Sequence, residues 1–176
     1  MFYPSRNVKS LAALAAGVLL YAGGAMAQTG KIDNDDASML KDIAMANMAE
    51  IETGKVAAGK SADPQVKKFA QMMVTDHTKG LADVKKLVSA KGVDLPKGPD
   101  TMHKAALLEF KALRGKTFDS RYVKQSGIGD HEATEKLLVK TQSDAKDPDL
   151  KALAQKMLPV VQAHLNHARE MAVAQQ

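Results

Sequence analysis

From about Asp35 onward, apolar side chains recur every three or four positions, and no alternating strand pattern interrupts them. That period predicts four long helices. The first covers Asp35 to Lys60, with Leu40, Ala44, Asn47, Ile51 and Ala58 on one stripe. The second starts at Asp63-Pro64, a capping side chain followed by a proline that suits the first helical position. Its stripe is Val66, Ala70, Met73, His77, Leu81, Val84 and Val88, and Gly92 is placed to end it. The third covers Gly115 to Ser143, with Phe118, Tyr122, Ser126, Gly129, Ala133 and Leu137 facing inward. The fourth opens on Asp147-Pro148 and carries Leu150, Ala154, Met157, Val161, His164, Ala168 and Met171. Pro159 lies inside it and should bend it.

The connections differ in length. Those around Ser61-Ala62-Asp63 and Asp144-Ala145-Lys146-Asp147 are tight, whereas Lys91 to Arg114 is long. The long one opens with extended or turning Gly92–Pro99 and should hold a short helix over Thr101 to Leu113. Short, long, short is the pattern of two helical hairpins joined by a crossover. The expected fold is therefore all-α: a ferritin-like antiparallel four-helix bundle occupying 35–174. The stretch from Asp63 to Met73 matches Asp147 to Met157 at a constant offset, sharing Asp-Pro, Lys, Ala-Gln and Met. That match suggests an internal repeat of one hairpin.

The pattern changes before Asp35. Arg6 and Lys9 precede an apolar run from Leu11 to Ala22, and Ala25-Met26-Ala27 follows as a small-x-small site. Residues 1–27 are expected to be a cleavable signal peptide, with 28–34 a flexible lead-in. The apolar run is too short to span a bilayer, which takes roughly 20 residues. The expected location is the periplasm, with peripheral envelope association open and no membrane span after cleavage. The formal charge of +5 includes Arg6 and Lys9, so 5 − 2 leaves +3 after cleavage. Lysines and acids are interspersed and no basic block exists, which argues against a nucleic-acid partner. An envelope protein or a second copy of the chain is the partner class left. With no cysteine in the sequence, disulfides and thiolate metal sites are excluded.

Candidate chemistry is confined to imidazoles and carboxylates. His77 and His164 sit on apolar stripes, Asp76 adjoins His77, Asp130-His131-Glu132 lies mid-way along the third helix, and Glu50 lies in the first. Such side chains, one from each helix and pointing inward, are how bundles build metal sites. Zinc, copper or iron are the transition metals they suit. The candidate ligands are His77, His164, Asp76, Glu50, Asp130 and His131. The competing reading is that these groups only fix packing register. Di-iron oxidase chemistry is disfavoured: Val74 and Val161 stand three residues before His77 and His164, where a Glu-x-x-His motif needs Glu. The methionines, among them Met45, Met48, Met72 and Met73, would suit copper(I) but also serve as core filler. No nucleophile elbow, phosphate loop or His-Glu-x-x-His occurs, so no catalytic residue is assigned and an enzyme is not expected.

Met48-Ala49-Glu50-Ile51-Glu52-Thr53-Gly54-Lys55-Val56-Ala57, Val66 to His77, Asp130-His131-Glu132 and Leu158-Pro159 to His164, taken in order, resemble a bacterial family of unknown function. That family is often labelled "predicted outer membrane protein", and the resemblance implies a ferritin-like domain over about Asp35 to Met171. It implies no reaction. The expected function is a non-catalytic binding or envelope-stress role; the alternative is a metal-binding or metal-storage bundle using the core His, Asp and Glu residues.

Overall fold

The computed structural model describes residues 31–174; the expected signal peptide, 1–27, lies outside them. Among the described residues the chain is all helix and turn. Helix α1 is Asn34–Lys60, α2 Pro64–Lys91, α3 Thr101–Ala112, α4 Gly115–Tyr122, α5 His131–Asp144 and α6 Pro148–Ala174. A π-helical stretch, Val123–Asp130, joins α4 to α5 without a break, so 115–144 forms one long rod.

Local chemistry fixes the ends. The Asp33 carboxylate accepts from the Asp36 amide and caps α1. Ile32, just before this cap, is buried in an apolar cluster. Asp63 and Asp147 cap α2 and α6 alike, each accepting from the two amides that follow its proline. Gly92 closes α2 in the left-handed region, at φ 64°, where a side chain would be strained. Helix α6 runs through Pro159, which lies on an exposed face where the carbonyl it frees can be solvated.

Helices α1 and α2 pack as one hairpin and the 115–144 rod packs with α6 as a second; α2–α6 and α1–α5 contacts join them. Two apolar clusters fill the interior. One, mostly aliphatic, gathers Leu40, Ile43, Val84, Val88, Leu138, Leu150 and Val161. The other, rich in aromatics, gathers Phe69, Met73, Phe110, Phe118, Tyr122 and Met171. Phe110 of α3 meets Phe118 and Tyr122 edge-on, seating the crossover helix at the aromatic end. Between the clusters every long rod turns a polar group inward: Asn47 and Glu50, His77, Ser126 and His131, and His164, all buried.

Two expected stripes are corrected. In α1 the inward positions are Asn47, Glu50, Thr53, Gly54 and Ala57, while Ile51 and Ala58 are only half-buried. In the rod, Phe118, Tyr122 and Ser126 face inward as expected, but then His131, Thr134, Leu138 and Thr141 take the buried positions, while Gly129 and Leu137 are only half-buried and Ala133 is exposed. The wide π turn absorbs one residue and slips the helical phase by that amount, which a uniform 3.6-residue period cannot anticipate.

Candidate metal centre

The phase slip delivers His131 to the molecular axis, where it meets His77 and His164. His131 Nε2 lies 3.4 Å from His77 Nε2 and 3.4 Å from His164 Nδ1. The three nitrogens lie within 4.8 Å of one another, and this is the one such grouping of metal-binding side chains among the described residues.

Each ring is oriented by its other nitrogen. Asn47 donates through Nδ2 to the Ile43 carbonyl at 2.7 Å, so its Oδ1 faces His77 Nδ1, 3.1 Å away. That oxygen can only accept, so His77 Nδ1 carries the proton. The Ser126 carbonyl, also only an acceptor, lies 2.7 Å from His131 Nδ1. Asp76 Oδ2 lies 3.1 Å from His164 Nε2 and accepts from it. A neutral imidazole has one proton, and here all three are spent on outward partners. The inward nitrogens therefore present three lone pairs to one another, with no proton left to bridge either 3.4 Å separation.

The rings are neutral because of where they sit. Burial, with His131 and His164 adding to it, drives the His77 pKa well below its ordinary value. Burial takes His131 down to about 4 despite the Ser126 carbonyl. Burial also lowers His164, against the opposing pull of Asp76. Three neutral nitrogens facing a common point are a donor set, and the outward Asn, carbonyl and carboxylate partners are the kind that orient ligating histidines. The two separations from His131 agree: metal–nitrogen bonds of 2.0–2.1 Å in a tetrahedron put ligand nitrogens roughly 3.3–3.4 Å apart.

The other sequence candidates fall outside this set. Asp76 touches only His164 within the cluster, as its orienting partner. Glu50 Oε1 is 3.8 Å from His131 Nδ1, on the far side of the ring from the other histidines, and its Oε2 has no hydrogen-bond partner. Burial, then the nearby Asp130, pushes the Glu50 pKa well up. Asp130 turns away, accepting from Gln125 at 2.8 Å and standing 4.0 Å from His103. Ser126 serves through its backbone carbonyl, not its hydroxyl. The sequence reading missed Gly80: a Cβ there would lie 2.5 Å from Asn47 Oδ1, so only glycine lets Asn47 reach His77. Its place three residues after His77 was the available signal.

The fold and the centre define a class: an all-helical domain with a buried three-histidine cluster. The chain belongs to the DUF4142 family, a domain of unknown function, whose profile matches residues 22–171. It is also similar to a crystal structure of a DUF305 fragment from Deinococcus radiodurans, with a TM-score of 0.73 at 9% identity, covering 82% of this chain and 99% of that one. At that identity the likeness shows a shared fold alone. No curated protein sequence matches the chain.

Proposed function

We propose that this chain is an exported, non-catalytic metal-binding protein that holds one zinc- or copper-class ion on His77 Nε2, His131 Nε2 and His164 Nδ1. The observation that carries the reading is the set of three inward lone pairs, whose mutual repulsion a cation relieves. An all-imidazole donor set suits zinc and copper, and the buried Glu50 carboxylate, on the Nδ1 side of His131, stands outside that set, which disfavours hard cations and di-iron chemistry. The two-hairpin arrangement supports a ferritin-like description of the bundle, and the matching Asp63-Pro64 and Asp147-Pro148 caps support an internal repeat. The signal-like residues 1–27 support the periplasm, where such a protein would buffer or carry metal.

A second reading, docking of an envelope partner, draws on Met102 and Leu108, which are exposed on the outer face of α3. It leaves the histidine layer unexplained, so the metal reading is preferred. The test is elemental analysis of tag-free protein recovered from the periplasm, with melting curves on adding zinc, copper or iron. The expected outcome is about one ion per chain and a rise in Tm that His77→Ala, His131→Ala and His164→Ala each abolish. A metal-free protein whose Tm none of the ions moves would sink the reading.

A further inference from the structure

The histidine layer is closely packed in one direction and open in another. Near His131, a Cβ at Gly127 would meet Ala168 Cβ at 2.8 Å and the Phe69 ring at 3.5 Å. On the His77 side a cleft of about 330 Å³ enters between α2 and α6. Its lining includes His77, Asn47 and Asp76, the last being the partner of His164. Gly80 and Met157 line it too, and a Cβ at position 80 would stand only 3.3 Å from Met157 Cε as well as striking Asn47. Glycine there keeps the inner end open.

The mouth is lined by ion pairs that cover it loosely. Asp76 and Asp83 line the cleft, and each faces a lysine: Lys79 at 3.8 Å and Lys156 at 2.7 Å. The side chains of Lys79 and Lys156 are 75% and 68% exposed, so both are solvent-screened surface pairs that swing aside at little cost. Three protein nitrogens leave a tetrahedral ion one position short, whereas structural zinc sites fill all four with protein ligands.

We infer that the α2–α6 cleft is the port through which the ion reaches and leaves the histidine layer, and that its fourth coordination position opens onto that port. This rests on the metal reading above. It makes the ion exchangeable cargo, able to take a small exogenous ligand such as an anion or a carboxylate of an accepting molecule.

Val160 lines the cleft and is partly exposed, so a large side chain there plugs the mouth without entering the core. Zinc uptake, and zinc release to excess EDTA, would be timed by stopped flow for the wild type, Val160→Trp and Lys156→Trp. Val139→Trp, at an exposed position of α5, is the control. Both plugs should slow uptake and release together by about tenfold or more with the Kd nearly unchanged, and the control should match the wild type. Wild-type exchange rates in both plugs, at unchanged Kd, overturn the port alone. A wild type that binds no zinc overturns the metal reading and the port together. Azide added to the cobalt(II)-loaded protein should alter its visible spectrum; an unaltered spectrum overturns the open position.

Discussion

Two buried polar assemblies in this molecule are built on opposite plans. Where α2 ends against α6, the buried Lys91 ammonium sits 2.7 Å from Asp147 and 2.8 Å from Asp149. Beside it, buried Asp36 accepts from the Lys146 and Asp147 amides and ties α1 to the start of α6. Opposite charges and donor–acceptor pairs meet there, and the protein completes the network by itself. Burial works against the Lys91 ammonium, yet its two aspartates outweigh that and hold its pKa above the ordinary value. In the histidine layer like meets like, and the protein supplies no atom to stand between the three nitrogens. The first cluster closes on itself; the second is left incomplete by the chain that builds it, as the proposed metal site requires.

The comparison can be broken most forcefully at Lys91. Lys91→Met leaves two aspartates without their buried cation and should cost about 3–5 kcal/mol, read from urea unfolding at neutral pH. The mirror experiment, His77→Leu, removes a lone pair from a repulsive cluster and should leave the metal-free protein as stable as the wild type or more so. A loss there as large as at Lys91 would erase the distinction.

Acid should single out the histidine layer. His131 binds its proton at pH 6.5 when unfolded but only at about 4 when folded, so acidification favours the unfolded chain. The metal-free protein should therefore keep its full stability above pH 6.5 and lose about 3 kcal/mol from His131 as the pH falls to about 4. His77 and His164, also lowered, act in the same direction. Lys91, with its pKa raised, contributes stability that persists below its ordinary 10.5 and is lost as the pH rises past that. Stability against pH for the wild type and His131→Leu separates the two, because the acid loss should shrink in the variant.

Zinc sharpens the contrast further. At a free concentration one hundred times its Kd it should stabilise the wild type by about 2.7 kcal/mol and His164→Ala not at all, measured by Tm. The smallest effect should come from Gly80→Ala. Its new methyl displaces Asn47 from His77, and zinc affinity should fall by about 10–100-fold in competition with a chelator while the helical circular dichroism is kept.

Much of this architecture was readable from periodicity, because helices α2 and α6 obey it: all seven inward positions expected for α6 are buried. The caps were readable because Asp-Pro is local chemistry. The failures lie where buried polar groups and the π turn override regularity. Glu50 faces inward although its neighbour Ile51 is the apolar choice. The slip at Val123–Asp130 is invisible to a fixed period, since Ala133 and Leu137 satisfy the regular pattern as well as Leu138 satisfies the real one. His77, His131 and His164 were all visible as candidates, but which of six side chains share a point depends on ring direction. That direction is set by Asn47, the Ser126 carbonyl and Asp76, contacts made across helices distant in sequence.

The π turn has a genetic side. A wide turn is one residue longer than the α-turn that would span the same rise, so the rod from 115 to 144 carries one codon more than a regular helix needs. Deleting Gly129 would close the turn and return Thr134, Leu138 and Thr141 to the inward faces they already hold. The bundle would survive the loss, while the contact of the Ser126 carbonyl with His131 Nδ1, made across the wide turn, would be rebuilt. The seating of the His131 ring and the run of an ordinary helix thus differ by a single in-frame codon, a short step for a lineage in either direction.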